Sequence, residues 1–129
     1  MNKNTANWHQ VVQRKDVALL SELLSEDVTF HSPVVHTPQK GKKITQLYLQ
    51  AALHVFLSGG FKYIREVEND HHSLLEFELE LDGILINGID MITWNEEGKI
   101  IDFKVMLRPL QAVNLIHQKM GEMLSRHQK

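Results

Sequence analysis

Four consecutive segments, FKYIREVE, SLLEFELEL, ILINGIDMITW and KIIDFKVML, alternate apolar and polar residues with a period of two. Side chains of a strand point to opposite faces in turn, so this is the pattern of a sheet covered on one side. The connections are Asn69-Asp70, Asp82-Gly83 and NEEG. Links this short cannot carry a strand back across the sheet, which leaves hairpins and an antiparallel meander of four long strands. In LEFELEL the leucines and Phe77 share one face, and Glu76, Glu78 and Glu80 share the other. The glutamate row reads as a solvated face with Lys and Arg of neighbouring strands opposite it.

The rest of the chain supplies the cover. Residues 5 to 24 hold two helical stretches separated near RKD, the first with Trp8, Val11 and Val12 on one side, the second with Val17, Leu20, Leu23 and Leu24. Asp16 is placed to cap the second. DVTFHSPV reads as a short strand stopping at Pro33, followed by the loop VVHTPQKG. From Lys42 to about Leu57, Ile44, Leu47, Tyr48, Ala51, Ala52 and Val55 mark a third helix, closed by SGG. Pro109 opens a last helix with Leu110, Val113, Ile116, Met120, Met123 and Leu124 on one face. The expected architecture is α+β, a single domain over residues 1–129.

Composition removes several functional classes. With 14 Lys+Arg against 16 Asp+Glu, no basic field exists to collect phosphates, so nucleic acid is not an expected partner. Zero cysteines excludes a disulfide framework and thiolate chemistry. The opening MNKNTANWHQ lacks the apolar core of a signal peptide, and no apolar run reaches membrane-spanning length, so a cytoplasmic protein without membrane contact is expected.

One residue breaks the apolar logic of the meander. INGIDMITW carries Asp90 in mid-strand, and an unpaired carboxylate costs several kcal/mol to bury. Ile84, Ile86 and Ile92 lie on its side and Leu85, Ile89 and Met91 on the other, so the strand is expected to be covered on both faces, one cover being a partner subunit. If the isoleucines face the helices, Asp90 lies inside with them, and Gly88 leaves empty volume beside it. Two readings stay open: a functional acid in a small pocket, or an acid satisfied by a backbone N–H or a Tyr hydroxyl for structure alone.

The stretches SEDVTFHSPV, GKKITQLY, GIDMITWNEEGKI and RPLQAVNLI resemble the nuclear transport factor 2-like superfamily, in its SnoaL-like and ketosteroid isomerase-like branch. The resemblance covers nearly the whole chain and implies a cone of curved antiparallel sheet packed against N-terminal helices and a C-terminal helix. It places Asp90 where ketosteroid isomerases keep a protonated acid that donates to the substrate oxyanion, and where limonene epoxide hydrolases keep a catalytic aspartate. Tyr48 resembles the isomerases' pocket tyrosine, which implies a hydroxyl near Asp90. The chain departs elsewhere: the isomerase base position holds Ser32, the first-helix tyrosine position holds Trp8, and Gly88 and Val105 stand where the hydrolases have an arginine and a second aspartate. Neither catalytic set is complete.

The eight histidines show no HExxH or comparable spacing, and no metal or other cofactor is expected. His31 could stand in for the missing base, although strict alternation puts it on the face opposite Phe30 and Ser32. His54 reads as a boundary residue, and Met120 and Met123 as core filler. The favoured reading is a protein that binds a small hydrophobic molecule with a polar group, of the isomerase, cyclase or hydrolase kind. Asp90 would be its acid/base, Tyr48 would lie nearby, and the walls would be Trp8, Phe30, Ser32, Leu75, Phe77, Ile86, Phe103 and Val105. The alternative is a noncatalytic ligand-binding or dimerisation module with a filled cone; an empty cavity of several hundred Å³ at Asp90 would separate the two. A homodimer through the outer sheet face is expected in either case.

Overall fold

In the computed structural model, which describes residues 1–127, the elements run α1 (Lys3–Arg14), α2 (Val17–Leu23), β1 (Leu24–His31), β2 (Gln39–Lys40), α3 (Lys42–Phe56), β3 (Lys62–Glu68), β4 (His72–Leu81), β5 (Ile84–Trp94), β6 (Ile100–Arg108) and α4 (Leu110–His127). The strands form one six-stranded sheet in the order β2-β1-β6-β5-β4-β3. The meander is as the alternation requires, with β3, β4, β5 and β6 paired antiparallel in sequence. At its tightest turn both Asp82 and Gly83 have positive φ, 50° and 77°, the geometry that joins two strands through two residues without splaying them.

Capping sets the helix starts. The Asn2 side chain accepts from the Thr5 N–H at α1, and Asp16 accepts from the Leu19 N–H at α2. Trp8, Val11 and Val12 of α1 and Leu20 and Leu23 of α2 are buried with Leu75, Phe77, Ile86 and Ile92 of the sheet. A second, polar tie is buried with them: Thr5 Oγ1 lies 2.6 Å from Ser73 Oγ, and the Trp94 indole N–H donates to the same Ser73 oxygen at 3.0 Å. It joins α1 to β4 and β5 with each group satisfied.

Several expectations are corrected. The sheet is mixed, because β1 runs parallel to β6; the pairing closes the open edge of the meander through chain that comes before it. β1 begins at Leu24 and ends at His31, earlier than DVTFHSPV implied, and the loop after it contains β2, which pairs with Thr29 and Phe30. α3 buries Thr45, Leu49, Ala51, Val55 and Phe56 rather than the stripe through Ile44 and Leu47, because it is wedged between the sheet and α4 and is covered on two sides. On α4 the buried line is Ala112, Ile116 and Met120, spaced by four. Leu110 falls on the far side of that line and is 74% exposed.

Gly88 does not open a void. A Cβ built there would lie 2.5 Å from Phe77 Cζ and 2.8 Å from both Leu107 Cδ2 and the Met106 carbonyl oxygen. The missing side chain is filled by the Phe77 ring.

Candidate functional site

Asp90 points inward from the middle of β5 and is 6% exposed, opposite Leu75 of β4 and Val105 of β6. The Tyr63 hydroxyl donates to its Oδ2 at 2.7 Å, and the Trp8 indole N–H donates to the Tyr63 oxygen at 2.9 Å. Among the described residues nothing donates to Oδ1. The result is a chain of donors running from α1 through β3 to β5.

Tyr63 reaches this face because β3 is irregular. Glu66, Val67 and Glu68 pair with Leu75, Leu74 and Ser73 in uniform register, which extended backward would set Ile64 opposite Phe77. The register shifts between Tyr63 and Arg65, so Tyr63 sits opposite Phe77 and shares the inner face with it. One extra residue re-aims a side chain to the other face, the usual consequence of a bulge. Phe61 and Phe77 then hold the Tyr63 ring at centroid distances of 4.9 and 6.3 Å, both edge to face, and His9 packs on it at 5.2 Å. His9 is itself tied to Glu66, Nε2 to Oε1 at 2.7 Å.

Burial pushes the Asp90 carboxyl up from 3.8 to about 7, with the Tyr63 hydrogen bond working in the opposite direction. Burial, then the Asp90 charge, pushes the Tyr63 phenol well above its ordinary value of 10.0. Tyr63 therefore stays a donor, and Asp90 exchanges its proton near neutral pH.

The cavity at Asp90 is about 20 Å³, room for a single water. Of the wall residues named from the sequence, Trp8, Phe103 and Val105 line it, while Phe30, Leu75, Phe77 and Ile86 are buried in the core without lining it. Ser32 lies outside it in the loop after β1, where its Oγ accepts from the Val34 N–H. Tyr48 is not the partner of Asp90: it packs on Phe30, ring centroids 5.6 Å apart, and does not line the cavity. In its place α3 contributes Leu49, Ala52, Leu53 and Phe56, at the spacing of one helical face, with Leu57 and Phe61 beyond.

The histidines lie elsewhere. His31 is on the opposite face from Phe30, with Nε2 2.9 Å from Asp102 Oδ1, and His54 is exposed. Among the described residues no three His, Asp or Glu side chains converge on a point that could hold a metal ion. The apolar groove of about 430 Å³ is on the outer face of the meander, between Val67, Leu74, Ile89 and Met106, with Arg65, Glu76 and Arg108 at its rim. No described helix is long and apolar enough to cross a membrane.

The SnoaL-like domain family matches residues 5–103. The chain belongs to this family. Among solved structures it is similar to a steroid delta-isomerase from Pseudomonas aeruginosa, with 32% identity and a TM-score of 0.90 over 96% of this chain and 90% of that one. It is also similar to an uncharacterised protein with a cystatin-like fold from Silicibacter pomeroyi DSS-3, with 31% identity and a TM-score of 0.86 over 95% and 85% of the two chains. An epoxide hydrolase/cyclase-like enzyme of salinomycin pyran-ring formation shares the fold at 17% identity and a TM-score of 0.64, covering 82% of this chain and 88% of that one. No curated protein matches the sequence. This SnoaL-like protein thus has the nuclear transport factor 2-like cone: helices packed into the concave side of a curved, unclosed sheet.

Proposed function

We propose that this SnoaL-like protein binds a compact apolar molecule carrying one hydrogen-bond acceptor, such as a ketone, and that Asp90 is its acid/base. The observation that carries the reading is a carboxyl group buried in an apolar cavity with one hydrogen-bond partner among the described residues, a placement that pushes its pKa up to about 7. An acid poised there is half protonated at neutral pH, and so can donate to a carbonyl oxygen or accept a proton from the carbon next to it. Its likeness to a steroid delta-isomerase supports a reaction of the isomerase kind. Among the described residues Asp90 is the one carboxylate lining the cavity and Ser32 is outside it, so the acid/base role is assigned to Asp90, with the Tyr63 hydroxyl beside it. A ligand larger than a water enters only if side chains such as Leu53, Leu57 or Phe61 move.

The second reading, a noncatalytic module with a filled cone, is favoured by the cavity of about 20 Å³. Thermal shift and calorimetry with a small cyclic ketone and its parent hydrocarbon separate the two. The first reading expects the ketone to raise Tm, the hydrocarbon to do so less, and Asp90→Leu to weaken ketone binding by tenfold or more. Ketone binding that is absent, or indifferent to Asp90→Leu, leaves the module reading.

We also propose a homodimer through the outer face of the meander. Val67, Leu85 and Met106 are 56%, 57% and 50% exposed there, around the groove of about 430 Å³. The rim carries both charge signs, with Arg108 and the Arg65–Glu76 pair, so two copies related by a two-fold axis can match opposite charges. A monomer mass by light scattering at micromolar concentration overturns this.

A further inference from the structure

We propose that Trp8 is a positioning residue: its indole N–H occupies the acceptor site of the Tyr63 hydroxyl, so that Tyr63 donates to Asp90 Oδ2 and the acid's own proton is confined to Oδ1. The argument is one of donor bookkeeping. Indole nitrogen can only donate, so the 2.9 Å contact from Trp8 Nε1 to Tyr63 has one polarity. If Asp90 instead donated from Oδ2 to Tyr63, the Tyr63 proton would need another acceptor. Among the described residues its hydroxyl donates to Asp90 alone. A buried hydroxyl proton without an acceptor costs roughly 1–3 kcal/mol, so the chain settles with every proton pointing from Trp8 toward Asp90.

Oδ1 is then the oxygen on which the acid proton resides. Among the described residues it has no protein partner, yet the only side-chain atom found there both fully sealed and unpartnered is Thr45 Oγ1. Oδ1 therefore keeps accessible surface, on a residue that lines the cavity. Its use as the contact to a ligand rests on the reading proposed above; the proton polarity does not. Among the described residues the groups around Asp90 are Tyr63 from β3, Trp8 from α1, uncharged Leu75, Phe103 and Val105 from the flanking strands, and apolar residues from α3 and the segment after it, none of them ionised. Glu66 and His9 stand behind Tyr63.

The chain contains two tryptophans, and the second provides an internal control. The Trp94 indole N–H donates to Ser73, which does not titrate. In the unliganded full-length protein, the indole 15N–1H resonances are followed against pH together with the Asp90 carboxyl 13C signal. The Trp8 resonance is expected to shift with the midpoint of Asp90 while that of Trp94 shows no transition there. Asp90→Asn should abolish the transition at Trp8, and Tyr63→Phe should abolish it while raising the Asp90 midpoint, because the hydrogen bond that favours the carboxylate is gone. A Trp8 resonance indifferent to the Asp90 titration overturns the proposal. So does a transition that persists in Asp90→Asn, since it would then report His9 or Glu66. No ligand enters the experiment, so failure of the binding hypothesis leaves this result standing, and the reverse also holds.

Discussion

The two faces of the meander hold their polar groups in opposite ways. The outer face has the larger concavity, about 430 Å³, and its charges are partly solvated and paired: Arg65 Nε lies 3.4 Å from Glu76 Oε1, and Asn87 Nδ2 donates to the same carboxylate at 3.0 Å. The inner face has a cavity of about 20 Å³ lined, among the described residues, by one carboxylate, Asp90, held by a single phenol. Exposed ion pairs contribute about 0–1 kcal/mol and are easily replaced, whereas an inward acid strains the fold at every pH where it is ionised. In the proposed function the larger outer groove is assigned to association and the costly inner acid to chemistry.

The largest expected effect tests that cost directly. Asp90 has a folded-state pKa of about 7 against 3.8 for the free group, so the native state holds the proton more tightly than the unfolded chain does. Its contribution is therefore fully present below about pH 4, declines as pH rises, and is gone above about pH 7. The gap corresponds to on the order of 4 kcal/mol. Asp90→Asn keeps an acceptor for Tyr63 and removes the titration, so it should match the parent near pH 4 and exceed it by a few kcal/mol at pH 8. Urea unfolding at a series of pH values measures this. Glu68, whose carboxyl is lowered mainly by its bond to Thr5, loses its contribution only as pH falls below 4.5, so the acid limb should persist in both proteins. Equal slopes between pH 4 and 7 in parent and variant would mean that Asp90 is hydrated, and the contrast between the faces would collapse.

Ser73 offers a middle-sized test. It is buried on the inner face like Asp90, but its oxygen meets both Thr5 and the Trp94 indole and none of the three groups titrates. Ser73→Ala strands two buried partners and should destabilise by about 1–3 kcal/mol at all pH values. A pH-independent loss at Ser73 beside a pH-dependent gain at Asp90 would separate a polar group kept for structure from one kept at a cost. If both substitutions gave the same flat destabilisation, Asp90 would belong with Ser73.

The α+β architecture was legible because it follows from strand alternation, a local property that a few tens of residues already display. Alternation left the aim of Asp90 conditional, because Ile84, Ile86 and Ile92 on one face of its strand are matched by Leu85, Ile89 and Met91 on the other. The mixed sheet was not legible: the parallel pairing of Leu24–His31 with Ile100–Lys104 joins distant segments, and nothing in DVTFHSPV announces its partner. Tyr63 was hidden for a sharper reason. Counting back from the Asn69–Asp70 turn in uniform register puts Ile64 inside and Tyr63 outside, and only the bulge at Ile64 reverses them. A chain with two tyrosines and one inward acid leaves few hydroxyl candidates, which was the available signal. Family resemblance favoured Tyr48 instead, whose helix is turned so that Leu49, Ala52 and Leu53 face the cavity. Gly88 misled in the same way, since an absent side chain shows where room exists but not that Phe77 fills it.

The smallest effect on the fold is expected on the outer face, and it sharpens the comparison from that side. Met106 is 50% exposed on β6 at the edge of the groove, and Met106→Glu adds a charge where water can solvate it. Surface substitutions of this kind change monomer stability by no more than about 0.5 kcal/mol. In a dimer, however, two-fold symmetry brings both new carboxylates into the same contact, so a single substitution introduces two buried like charges. Unfolding of Met106→Glu at nanomolar concentration should thus match the parent at the same dilution, while light scattering at micromolar concentration should show the parent as a dimer and the variant as a monomer. The parent's Tm should also rise with concentration and the variant's should not, because association stabilises only the native state. A variant that stays dimeric would move the interface to another face of the molecule, and the groove between Val67 and Met106 would then have to be explained as an open surface of the assembled protein.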